Sequence, residues 1–195
     1  MRTIMKTIKR AAVWAPLWIT VTAGAAFAFE MTPATQAQID KHKTVIAGWA
    51  TDPAIVSAVK DQNGKGPLAG MDNPKWKTIR RSDPVVKAFQ DNPAGKMLTA
   101  KIEAGGGVYS EAFLSAAQGE KVAFVEKTTS YIHVGQPKFD VPFATGKSWQ
   151  GKPEFDESAQ TYQLQISAPV LADGKPIGAL VVGMSLAQLE KAGKK

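Results

Sequence analysis

The sequence predicts an α+β fold: a helical N-terminal half, then an antiparallel sheet of about five strands with helices packed on one side. Three observations predict it. Residues 31–104 carry apolar positions at helical spacing, restarted repeatedly by a capping residue before proline. The run Gly105-Gly106-Gly107 then breaks the helical pattern. Beyond it, short β-prone segments are separated by tight turns as far as Leu186. A chain of 195 residues suits one domain with a proper core, and no internal repeat or low-complexity segment divides it.

The first 28 residues stand apart from the fold. Arg2, Lys6, Lys9 and Arg10 precede an apolar run from Ala11 to Ala28 that ends in Ala26-Phe27-Ala28. A basic start, an apolar middle and small residues at the end make a secretory signal peptide, cleaved after Ala28. The run is close to membrane-spanning length, so an uncleaved anchor is the alternative. The leader holds four of the 24 basic residues and none of the 17 acidic ones, which leaves a net charge of +3 on the rest. That balance argues against nucleic acid as a partner. The chain has no cysteine, so its fold uses neither disulfides nor thiolate chemistry, although an exported compartment permits them.

The elements follow in order. Thr32-Pro33 opens a helix whose face is Ile39, Ile46 and Trp49, with Val45 beside them. Thr51-Asp52-Pro53 repeats the device ahead of Ile55, Val56 and Val59, so either one helix kinks there or two helices meet. "DQNGKGPLAGMDNPKW" reads as a loop. Three short helices start at Asn73-Pro74, Asp83-Pro84 and Asn92-Pro93, burying Trp76, Ile79, Val85, Val86, Phe89, Met97, Leu98 and Ile102. After the glycines, "VYSEAFLS" and "EKVAFVE" form a hairpin around "AAQG". A polar and aromatic stretch from Lys127 to Ser158 is longer than most connections, and long structured loops are usually functional. In "TYQLQISAPVL", Tyr162, Leu164 and Ile166 alternate with Gln163, Gln165 and Ser167, the period of a half-buried strand. Asp173-Gly174 turns it into "KPIGALVVGMSL", apolar enough for a central strand.

No catalytic constellation stands out. The two histidines, His42 and His133, have no Gly-x-Ser-x-Gly elbow to serve, and His42 sits on the polar side of its helix. No metal motif is present, and Asp156 and Glu157 point apart on an extended segment. "NGKGPLAG" lacks the ending of a phosphate loop. A binding site in the long loop remains: Tyr131, His133, Trp149, Asp156 and Ser158 together offer flat apolar surface, hydrogen-bonding groups and one charge. Trp149 and Tyr131 would equally serve as core plugging the open sheet face.

"EAFLSAAQGEKVAFVEKTTSYIHVGQPKF" and "FDESAQTYQLQISAPVLADGKPIGALVVGMSL" resemble the Cache-type (PDC) extracytoplasmic sensor domains. The shared pattern falls on Gly119 with Val122-Ala123, on Lys127 to Tyr131, on Phe155 to Ser158, on Pro169-Val170, on Asp173-Gly174-Lys175 and on Ile177-Gly178-Ala179. It covers residues 108–186 well, and the helical half less specifically. The resemblance implies a PAS-like sheet with a long N-terminal helix along its back, short linking helices, and a ligand pocket between sheet and loop. The implied organisation is a signal peptide at 1–28, a helical sensor segment at 29–107, and the PAS-like Cache sheet with its ligand loop at 108–195. Carried over to this chain, the site is Tyr131, Trp149, Asp156 and Ser158, with Tyr109 and His133 as outer members.

Relatives of this type bind carboxylates, amino acids, amines or purines without a cofactor and report to a kinase, cyclase or chemoreceptor. Where they often carry acids, this chain has Ser130 and Gln136-Pro137, which leaves Asp156 as the main acid and lets Lys127 and Lys138 face an anionic group. Receptors of the family run from the last strand into a membrane helix, whereas here the sequence stops at "AQLEKAGKK". The expectation is a periplasmic small-molecule sensor, anchored to the membrane if the leader is uncleaved. It would report to a separate membrane receptor or sensor kinase and form a homodimer through its first helix. The alternative from another class is a periplasmic interaction module whose pocket is filled by its own side chains. An exported enzyme comes third.

Overall fold

The computed structural model describes residues 29–157 and 160–193. The leader expected at 1–28 lies outside them, as does Ser158. Two helices meet at Pro53: α1 (Pro33–Ala50) and α2 (Pro53–Lys65). Thr32 and Asp52 cap them, each accepting a hydrogen bond from a backbone N–H of the first turn, with proline just inside. The second helix runs five residues into the expected loop, as far as Lys65, and stops at Gly66, whose φ of 73° only glycine adopts freely. Next come α3 (Asn73–Thr78), α4 (Pro84–Asp91) and α5 (Pro93–Ala104), capped by Asp72, Asp83 and Asn92.

The first hairpin is β1 (Tyr109–Ala116) and β2 (Lys121–Phe124). The stretch expected to be one long loop contains a helix, α6 (Pro137–Thr145), and two short strands, β3 (Trp149–Gln150) and β4 (Glu154–Asp156). The chain closes with β5 (Thr161–Ala172), β6 (Lys175–Ser185) and α7 (Leu186–Ala192). Asp173 and Gly174 both have positive φ, 51° and 75°, the turn that suits the twist of two long strands.

All strand pairs are antiparallel, in the order β2-β1-β6-β5-β3, with β4 sharing the outer edge of β5. This is the expected PAS-like α+β arrangement. One face packs on α1, α2, α5 and α7 through Ile39, Ile46, Ile55, Val59, Leu98, Leu114, Leu164, Ile166, Leu180 and Val182, all buried. The other face is also covered. Near β2 it carries Trp76, Val86, Phe89, Phe124 and Tyr131, and further along α6 lies over β5 and β6. Helices therefore flank both sides rather than one. Among the described residues, no helix is long and apolar enough to cross a membrane.

Candidate functional site

The face beneath α6 is built in three rows that the sheet register fixes. Across the middle row run Phe113 of β1, Val181 of β6, Ser167 of β5 and Trp149 of β3. On one side of it, Lys121 of β2 faces Ser115, which faces Ala179 and then Pro169. On the other, Glu111 faces Gly183, which faces Gln165. Along β1 and β5 these residues are two apart, so their side chains stand on the same face.

Two bulges decide who belongs to that face. Between Glu111 and Tyr109 the register slips, so Tyr109 turns to the helix side instead of joining Glu111 and Phe113. There its ring packs on Trp49 and its hydroxyl lies 2.7 Å from His42 Nδ1. Tyr109, expected as an outer member of the site, is thus on the opposite face of the sheet. A second slip sets Lys121 against Ser115 while Ala123 faces Leu114. Plain alternation would have sent Lys121 to the same side as Ala123.

The result is a closed polar cluster inside an apolar setting. Lys121 is fully buried, and its Nζ lies 3.1 Å from the centre of the Phe113 ring. His133 packs on the same ring, with centroids 4.7 Å apart. Lys121 Nζ, His133 Nδ1, Ser115 Oγ and Ser167 Oγ, all buried, have no hydrogen-bond partner among the described residues. Native interiors rarely leave such groups unpaired, because each costs about 1–3 kcal/mol. Burial pushes the Lys121 ammonium well below its ordinary range; Glu111 draws it back up and Lys138 pushes it down further. His133 is pushed down to about 2, first by burial and then by the charges of Lys121 and Lys138, against a hydrogen bond with the Tyr131 backbone.

A polar chain leads from the cluster to solvent. Lys138, on the first turn of α6, donates to Gln165 Oε1 at 3.1 Å, and Gln165 Nε2 donates to Glu111 Oε1 at 2.5 Å. The Glu111–Gln165 bond spans β6 where Gly183 has no side chain; a Cβ there would stand 2.6 Å from Glu111 Cγ. Glu111 and Gln165 also line an open cleft of about 500 Å³ with Trp149, Gly151, Phe155 and Asp156. Asp156 Oδ2 accepts from Gln163 Nε2 at 2.6 Å.

Apart from Tyr109 on the opposite face and Ser158 outside the described residues, the sequence-predicted residues separate into three places. Trp149 and Asp156 share the cleft, and His133 belongs to the buried cluster. Tyr131 is packed into the aromatic core with Trp76 and Phe89, and its Oη accepts from Leu68 N–H at 2.9 Å. Of the two lysines expected to face an anion, Lys138 reaches the site, whereas Lys127 Nζ sits over the Trp76 ring, 4.6 Å from its centre. Asn73 holds the strap between β2 and α6: its Oδ1 accepts from Tyr131 and Ile132 N–H, both at 2.8 Å, and its Nδ2 donates to Ile132 O. Lys121, Ser115, Ser167 and Glu111 escaped the sequence reading. The one available signal was polar residues within otherwise apolar strands. Among the described residues, no group of three or more acidic, histidine or cysteine side chains is placed to hold a metal ion.

No family profile matches the sequence, and no curated protein matches it. The sensor domain of the V. cholerae histidine kinase DctB superposes with a TM-score of 0.53 at 14% identity, over 82% of this chain and 54% of that one. The E. coli DcuS sensor domain superposes with a TM-score of 0.51 at 11% identity, over 83% of this chain and 98% of that one. The chain thus spans about half the length of the DctB structure. What it shares with these two sensor domains is the fold.

Proposed function

We propose that this chain is an exported sensor domain that binds a small anion, a carboxylate in the first instance, between the sheet and α6. The observation that supports it most is that Lys121, His133, Ser115 and Ser167, four buried groups beneath α6, have no hydrogen-bond partner among the described residues. A carboxylate supplies two oxygens able to accept from an ammonium and a hydroxyl, and its charge offsets a buried lysine. Lys138 at the start of α6 adds a second cation, and the Trp149–Asp156 cleft offers the way in. The reading takes the 29–107 and 108–195 segments as one ligand-binding unit, exported by the 1–28 leader to the periplasm.

DctB and DcuS, which share the fold, are sensor domains, which supports binding rather than turnover. Seating a ligand requires α6 to lift and close again, and a difference in affinity between those states is what a partner protein can read. That partner is a separate membrane receptor or sensor kinase, with pairing through α1 as the assembly. The test is a thermal-shift screen of small carboxylates against small amines. Stabilisation by carboxylates alone, lost in Ser167→Ala and Lys121→Met, supports the reading. Stabilisation by amines alone, or by nothing, favours an interaction module whose pocket is filled by its own side chains.

A further inference from the structure

Lys121 differs from an ordinary anion-binding lysine. Such a residue reaches its ligand with a solvated, hydrogen-bonded ammonium, whereas Lys121 Nζ lies against an aromatic face with no hydrogen-bond acceptor among the described residues. A second cation, Lys138, faces the same enclosure. Desolvation and a neighbouring cation are the two conditions that turn a lysine into a nucleophilic amine.

We infer that Lys121 holds its ligand covalently and reversibly, as an imine with the carbonyl of a small 2-oxo acid. The inference rests on the anion-site reading above, because the carboxylate of such a ligand takes the Ser167 hydroxyl and Lys138. The Nζ lone pair attacks the ligand's carbonyl carbon to form a carbinolamine, and the two N–H protons pass in turn, through water, to the former carbonyl oxygen. The His133 ring, stacked on the same Phe113 with Nδ1 unpaired, offers a hydrogen-bond acceptor that orients the amine for attack. Carrying both protons, the oxygen leaves as water while the C=N bond forms. No electrons are gained or lost, and hydrolysis reverses every step. The depressed basicity of Lys121 fits this use, since it raises the share of neutral amine. The site would then separate carbonyl-bearing carboxylates from hydroxy analogues of the same size and charge, which an electrostatic pocket cannot do sharply.

The experiment uses pyruvate as probe and lactate, which has a hydroxyl in place of the carbonyl, as control. The protein is incubated with each in the presence of sodium cyanoborohydride, and adducts are located by peptide mass spectrometry. Melting curves are recorded in parallel without reductant. The expected result is a saturable adduct of pyruvic acid less one oxygen on Lys121, formed ahead of any surface lysine, absent with lactate and absent from Lys121→Met. His133→Gln should form it more slowly and to the same final extent. Pyruvate and lactate shifting the melting curve equally, with no adduct on Lys121, overturns the imine and leaves the anion site standing. Adducts spread over surface lysines with Lys121 unmodified also overturn it. No shift and no adduct with either probe overturns the imine together with the anion site.

Discussion

Replacing Lys121 with methionine should make this protein more stable while removing its ligand site. The two side chains have similar length, so the space against Phe113 stays filled, and the substitution removes a buried amine that lacks a hydrogen-bond partner. Leaving such a group unpaired costs about 1–3 kcal/mol. The Phe113 ring and the Glu111 carboxylate return only part of this, because the surroundings as a whole hold the ammonium well below its ordinary range. For a chain of this size a gain of about 1–3 kcal/mol raises the melting temperature by about 2–4 °C for each kcal/mol. The sign also depends on pH. The unfolded chain keeps Lys121 protonated up to about pH 10.4 while the folded protein releases its proton earlier, so wild-type stability climbs with pH between those values. The advantage of Lys121→Met therefore shrinks as pH rises toward that upper limit. Urea unfolding at several pH values measures this, with an unchanged slope certifying that only stability moved. A variant less stable than wild type by about 1 kcal/mol or more would refute the reasoning, since it would make the lysine a paired structural element.

Other positions give independent checks. His133, pushed down to about 2, stays neutral in the folded protein while the unfolded chain protonates it below about pH 6.5, so stability falls on acidification. Between pH 7 and 5 the loss is about 2 kcal/mol, and His133→Gln should flatten that part of the pH profile. Asn73→Ala removes three hydrogen bonds that fasten residues 131 and 132 to α3. It should cost about 2–4 kcal/mol in urea unfolding and raise amide exchange in the strap ahead of α6. Gly178→Ala places a Cβ 2.4 Å from the Ser115 carbonyl, between two central strands, and should lower stability by about 1–3 kcal/mol. Binding of a carboxylate without a carbonyl, such as lactate, should draw a proton onto Lys121, seen as a heat of binding that changes with the ionisation enthalpy of the buffer.

The fold was legible where local rules and burial agree. Proline after Thr32, Asp52, Asp83 and Asn92 marked the helix starts, and Asp173-Gly174 marked the last hairpin. Helix α6 was not legible, because Pro137 at its start and Pro142 within it read as loop residues; its burial of Phe139 against the sheet outweighs that local preference. The site was hidden for two physical reasons. Gln163, Gln165 and Ser167 form the polar half of a clean alternation, which reads as the solvent face, whereas α6 covers Ser167 completely. Bulges are tertiary features that alternation cannot show, and one of them brings Lys121 inward while another turns Tyr109 away. Trp149, Asp156 and His133 were legible as residues of a functional loop, but their division between an open cleft and a closed cluster depends on where β3 and α6 dock.

The most direct test of the central claim is an equilibrium titration of the wild-type protein and Lys121→Met with the same small carboxylate, read by calorimetry. Saturable one-site binding to wild type, lost in a variant that is at least as stable, is the predicted result. At about 100 times its dissociation constant the ligand should also add about 2.7 kcal/mol to wild-type stability. Equal affinity in the two proteins would place the anion elsewhere and contradict the account.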